Sequence, residues 1–84
     1  MYIVYILYSL IRNGYYIGYT GDDIESRLNK HNSNHKGFTG KTGDWKIVLL
    51  ENYEEKEIAI KREFEIKRWK SRKRIEQLIS NSKQ

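Results

Sequence analysis

GYYIGYT, residues 14–20, decides the fold. It opens on the second half of Asn13-Gly14, a pair that tolerates positive φ and turns one strand back on another. The run before it, YIVYILY (2–8), is β-branched and aromatic, the composition of a central strand. The two runs are therefore expected to pair as an antiparallel hairpin. Period-two alternation then assigns faces. Tyr15, Ile17 and Tyr19 share one face of the second strand; Tyr16, Gly18 and Thr20 share the other. On the first strand Tyr5 goes with Ile3 and Leu7. The tyrosines can be packing, or phenols placed for chemistry, and the rest of the chain has to decide.

Beyond Thr20, TGDDIESRLNKHN predicts a helix. Asp22 and Glu25 have capping-box spacing. Ile24, Leu28 and His31 form one stripe, with Arg27 beside it, four residues before His31. The helix is expected to end near Asn32. Residues 33–44 (SNHKGFTGKTGD) are glycine-rich and read as a loop. WKIVLLENY (45–53) predicts a third strand. From Glu54 the chain turns helical, with acids early and bases late, as the helix dipole favours. This second helix shows two apolar faces. Ile58, Ala59, Ile66 and Trp69 lie on one, Ile60 and Phe64 on the other, so it is expected to pack between the sheet and the last helix. Arg62 falls inside the first stripe without an evident reason. Glu63 sits at that stripe's edge, a half-buried carboxylate. Ser71 is placed to cap a last helix whose apolar residues are Ile75, Leu78 and Ile79. The predicted class is α+β: a small three-stranded, mainly antiparallel sheet flanked by helices, in the order ββαβαα.

The chain has 84 residues, room for a single domain over 1–84. It lacks cysteine, which excludes a disulfide framework and thiolate zinc and suits a reducing cytoplasm. The apolar N-terminal run is too short to span a membrane and lacks the marks of a signal peptide, so no membrane association is expected. The net charge is +5, and it is densest in KRWKSRKR, Lys67 to Arg74. Such a run suggests a polyanionic partner, though it also suits a solvated helix face. GFTGKTG mimics a phosphate-binding loop, but His35 stands where that motif needs glycine, and the stretch follows a helix instead of a strand. His31 and His35 without cysteine make a poor zinc set.

VYI at 4–6 and YIG at 16–18, followed by Arg27, His31 and Glu63, resemble the signature of the GIY-YIG nuclease superfamily, and most closely its small stand-alone bacterial members. Val4 stands where the family's first triplet has glycine. Many members also carry an asparagine after the glutamate; here Gln77 is the nearest substitute. The resemblance implies a metal-dependent endonuclease acting on nucleic acid, with DNA as the expected substrate. It implies catalytic roles for Tyr5, Tyr16, Arg27, His31 and Glu63, and one Mg²⁺ or Mn²⁺ on Glu63.

In that light Arg27 offers a planar fork to phosphate, and Tyr5 and Tyr16 bracket the attacking water. The choice of base between them stays open, with Tyr16 favoured. Gly18 leaves room for a phosphate. Lys36, Lys41, Lys70, Arg72, Lys73 and Arg74 are candidate nucleic-acid contacts. Without a separate recognition domain, specificity is expected to be low or supplied by a protein partner. The competing reading is a non-catalytic nucleic-acid-binding module that keeps the fold. Glu63 weighs against it, because a carboxylate facing phosphate repels it unless a cation intervenes.

Overall fold

The computed structural model describes residues 1–33 and 42–82. Its elements are β1 (Tyr2–Ser9), β2 (Gly14–Thr20), α1 (Ile24–Asn32), β3 (Lys46–Tyr53), α2 (Lys56–Trp69) and α3 (Arg72–Ser82). The order is ββαβαα, as the sequence predicts. β1, the most apolar run, is the middle strand of a sheet ordered β2-β1-β3, and both pairings are antiparallel. Tyr5 lies opposite Gly18 on one side and Leu50 on the other. The β1–β3 register slips between Ile6 and Leu7, which pair with Leu49 and Ile47 and leave Val48 as a bulge. No helix among the described residues is long and apolar enough to cross a membrane.

Alternation along β1 divides the interior into two. Val4 and Ile6 pack with Leu49, Ala59, Ile66, Ile75 and Ile79, under α2 and α3. Tyr5 and Leu7 pack with Trp45, Ile24, Leu28 and Tyr16, under α1. The sheet is thus the middle of three layers. Tyr15 and Tyr19 pack on the aliphatic side, away from Tyr16.

The β1–β2 turn is fastened from two directions. Asn13 takes φ 52°, and its N–H donates to the Leu10 carbonyl at 3.2 Å. Asp44, just before β3, accepts from Ser9 Oγ at 2.6 Å and from the Ile11 N–H at 2.9 Å. Those two bonds hold the Asp44 carboxyl below its ordinary pKa. From α3, Arg72 donates to the Asn13 carbonyl and to Asn13 Oδ1, both at 2.7 Å.

Three expectations are corrected. The α1 cap is Asp23, not Asp22: Asp23 Oδ2 accepts from the Ser26 N–H at 3.3 Å. The Asp22 N–H instead donates to Thr20 Oγ1 at 2.9 Å, so this residue finishes the strand exit and the helix begins one position later. The second apolar face of α2 is not packed between neighbours. On the first face Ala59 and Ile66 are fully buried, though Ile58 is exposed; on the second Ile60 is only half-buried and Phe64 is 62% exposed, because α3 docks on the same side of α2 as the sheet. Arg62 also gains a reason. It grips Glu51 through Nε at 2.8 Å and Nη2 at 3.1 Å, and Glu65 through Nη1 at 2.7 Å. Its guanidinium also lies over Trp69. The charge is half-buried but compensated, which is how an apolar stripe tolerates it.

Ser71 caps α3 as expected, accepting from the Arg74 N–H at 3.3 Å.

Candidate active site

Three side chains from three elements, and a fourth from just ahead of β3, meet on the α1 face of the sheet. Tyr5, in the middle of β1, is 1% exposed, and its hydroxyl lies 2.9 Å from His31 Nε2. The ring nitrogen accepts the phenol proton or donates to the phenol oxygen, according to tautomer. His31 is buried and falls on the last turn of α1. The Tyr16 ring is tilted against its neighbours, its centroid 4.6 Å from that of His31 and 6.4 Å from that of Tyr5. Trp45, just ahead of β3, walls the group 6.5 Å from Tyr16.

Gly18 makes this packing possible. A Cβ there would lie 2.7 Å from the Tyr5 hydroxyl oxygen and 2.8 Å from its Cζ. No non-bonded carbon sits that close, and a buried ring cannot swing aside. The glycine is explained by the Tyr5 ring that lies over it. Asn32 fixes the end of α1 to the start of β3. It accepts from the Trp45 N–H at 2.7 Å and donates to the Trp45 carbonyl at 3.0 Å. In effect its amide extends the sheet's hydrogen bonding to the helix that carries His31.

Arg27 lies one turn before His31 on α1. Its Nε is buried and has no hydrogen-bond partner among the described residues. An orphaned charged donor is costly, and such groups are uncommon in folded proteins. Burial, above all, raises the Tyr5 pKa. A hydrogen bond from Arg27 opposes that shift, Tyr16 adds to it, the Arg27 charge again opposes it, and Glu63 adds to it. The Glu63 charge is thus felt at Tyr5, although α2 covers the opposite face of the sheet. α2 runs against β1 and β2, and Glu63 occupies the flank of its buried line. The carboxylate is 15% exposed and has Lys67 Nζ at 3.6 Å. That is a long ion pair, easily exchanged for a stronger cation. No group of three potential metal ligands occurs among the described residues. A lone carboxylate fits a hard divalent ion that keeps several waters and takes further oxygens from phosphate.

The basic residues divide. Arg72 is occupied by Asn13, by Glu76 at 3.0 Å and by the Tyr15 ring. Arg74 lies 4.4 Å over the Trp69 ring. Lys70 ends α2 in a left-handed conformation, φ 48°, and is exposed, as is Lys73. Lys36 and Lys41 lie outside the described residues, as does His35. Trp45 and Asn32 are the contributors that sequence reasoning missed. Nothing in their spacing marks them, since their roles arise only when the end of α1 meets the start of β3.

The sequence profile of the GIY-YIG catalytic domain matches residues 1–76. Among solved structures, the chain is similar to the solution NMR structure of the UPF0213 protein BH0048 from Bacillus halodurans. The two are 35% identical, with 95% of this chain and 84% of that one covered and a TM-score of 0.59. No curated protein matches the chain.

Proposed function

The chain belongs to the GIY-YIG family, and on that premise we propose that it is a metal-dependent endonuclease, a single domain over 1–84 that hydrolyses phosphodiester bonds in DNA. The observation that supports this most is the buried, unpartnered Nε of Arg27 beside a Tyr5–His31 pair. A packing cluster has no use for a guanidinium with a buried donor left over. A phosphate oxygen reaching that Nε would supply the acceptor it lacks.

Each residue then has a role. Arg27 orients the phosphate and stabilises charge developing on its oxygens. Tyr5 is too deeply buried to meet a water molecule, so its bond to His31 serves to fix the imidazole and the floor of the site. Tyr16 is only partly buried, and it is the phenol that receives a proton from the attacking water. A phenol takes that proton only in its phenolate form, which positive charge nearby favours in general. Glu63 would hold one Mg²⁺ or Mn²⁺. When bound, such an ion supplies Lewis-acid neutralisation of the phosphate's charge. Lys70, Lys73 and Arg74 supply non-specific backbone contact. Sequence specificity is low or brought by a protein partner in the cytoplasm.

The test is a cleavage screen on labelled duplex, flap, junction and single-stranded DNA and RNA with Mg²⁺ or Mn²⁺. Glu63→Gln and Tyr16→Phe should lose most cleavage and keep the fold, and EDTA should stop the wild type. In EDTA, Glu63→Gln should bind as well or more tightly, because a carboxylate no longer repels phosphate. Wild-type cleavage that persists in EDTA, or in Glu63→Gln at the full rate, contradicts the proposal. The Lys67–Glu63 pair favours one rival, a binding module whose carboxylate is neutralised internally. Binding without cleavage of any substrate would select it.

A further inference from the structure

The exposed side of α2 carries a groove of about 530 Å³, lined by Ile60, Lys61, Phe64, Glu65, Arg68 and Trp69. It does not include the tyrosine cluster. Its volume falls in the range of small-ligand sites, roughly 300–1,000 Å³. Phe64 is 62% exposed in it. An aromatic ring left in water on a helix that already buries Ala59 and Ile66 is not serving the core. The charges around it are unequal. Glu65 is already bound to Arg62 at 2.7 Å. Lys61 and Arg68 have no acidic partner within ion-pair distance among the described residues. The groove therefore offers an aromatic face and two unneutralised cations.

Its position follows from helix geometry. Phe64 comes directly after Glu63, about 100° round the helix, and Ile60 lies one turn back between them. Lys67, which pairs with Glu63, is on the same side. A strand with its scissile phosphate at Glu63 would thus meet the Phe64 ring within a nucleotide or two, with Lys61 and Arg68 flanking its backbone.

We propose that the groove formed by Ile60, Phe64 and Trp69, flanked by Lys61 and Arg68, is a stacking platform for an unpaired nucleotide next to the cleavage site. The substrate class is accordingly nucleic acid with a single-stranded segment adjoining the cut. In a duplex both faces of each base are already stacked, so a ring lying beside the helix has no base face to meet. An unpaired base has one, and stacking plus phosphate contact is how single strands are held without sequence preference. This inference rests on the nuclease reading for the position of the cut and on the groove itself for the binding.

The experiment measures binding in EDTA, so that cleavage plays no part. A blunt DNA duplex is compared with the same duplex carrying a short single-stranded arm. The arm should tighten binding by about tenfold, the effect of stacking one base. Phe64→Ala should remove that gain and leave blunt-duplex affinity unchanged, and Phe64→Tyr should keep it. Phe64 is exposed, so neither change endangers folding. A 2-aminopurine at the first arm position should change its fluorescence with wild type and not with Phe64→Ala. Lys61→Gln with Arg68→Gln should flatten the salt dependence for the armed substrate more than for the blunt one. An arm that brings no gain overturns the inference. So does a Phe64→Ala protein that keeps the gain, or one that weakens both substrates equally; the groove would then suit a protein partner. A protein that gains from the arm yet cuts nothing keeps the platform and sinks the nuclease reading. One that cuts without any arm preference sinks the platform alone, and one that binds neither substrate sinks both.

Discussion

The two faces of one strand show how differently this small domain uses its interior. Val4 and Ile6 face a cluster under α2 and α3 whose buried members are all aliphatic; Tyr5, one residue away from each, faces His31, Tyr16 and Trp45 under α1. The first face holds residues that need only volume and burial. The second holds a phenol and an imidazole bonded to each other, beside a guanidinium with a nitrogen unsatisfied. Apart from Glu63, which α2 brings in from the aliphatic side, stability and chemistry are separated by the thickness of a sheet, so substitutions on the two faces should fail in different ways.

The largest effect on stability is expected on the aliphatic face. Ile66 is fully buried against the sheet and α3. Ile66→Ala should cost about 2–5 kcal/mol, a large share of the stability of so small a domain. Thermal or urea unfolding should show it directly. At temperatures where the variant is still folded, the Tyr5–His31 geometry should survive. If Ile66→Ala were harmless to stability, the division between faces would be wrong.

Gly18→Ala comes next and crosses the division. The new methyl would overlap the Tyr5 ring, as the 2.7 Å and 2.8 Å approaches require. Overpacking of this kind costs about 1–3 kcal/mol. Activity should fall further than stability does, because the displaced group is the one bonded to His31. A crystal structure or the His31 imidazole NMR shift would reveal the movement. Full activity in Gly18→Ala would mean that the Tyr5 position is unimportant.

These expectations also mark what the sequence can and cannot convey. The hairpin, the strand faces and the order ββαβαα follow from alternation and turn chemistry, because β1 and β2 are strongly patterned. The aliphatic stripe of α3 is legible for the same reason. The site is legible only through co-occurrence. Tyr5, Tyr16, Arg27 and His31 sit at ordinary strand and helix positions, and their meeting depends on α1 crossing one particular face. The errors are physical too. Asp22 and Asp23 are both competent caps, and the strand exit chooses between them. Phe64 has core-like chemistry, yet α3 leaves its side of the helix uncovered. Arg62 looks misplaced until Glu51, on a different element, comes opposite it.

Tyr5→Phe sharpens the comparison through pH. It removes one hydroxyl and leaves His31 Nε2 without that partner, at about 1 kcal/mol or a little more. The Tyr5 pKa is raised in the folded state, chiefly by burial. An acid with a raised folded pKa stays protonated while its unfolded counterpart has begun to ionise. Its contribution to stability is therefore complete below the ordinary phenol range and is lost as pH rises through the folded pKa. Stability of the wild type should fall as pH climbs above about 10. Tyr5→Phe should show a shallower fall, although Tyr15 and Tyr53, whose pKa values are also raised, will retain part of it. An unchanged alkaline limb would mean that the phenol is not buried as described.

The smallest effect separates two neighbouring cations that composition treats alike. Arg72 fastens the β1–β2 turn to α3 through Asn13 and lies over Tyr15, whereas Lys73 is exposed. Arg72→Gln should therefore lower the melting temperature slightly and raise hydrogen exchange at the turn, including the Asn13 N–H. Lys73→Gln should do neither. In nucleic-acid binding the order reverses. Lys73→Gln should reduce the salt slope by up to about one, the signature of one lost phosphate contact, with equal weakening for every sequence. Arg72→Gln should change that slope less, because its guanidinium is already committed within the fold. Equal slopes for both variants, with no stability difference, would show the whole run from Lys67 to Arg74 to be one undifferentiated charged surface. A difference in the stated direction would show that α3 spends one cation on the aliphatic face's architecture and leaves the next for phosphate.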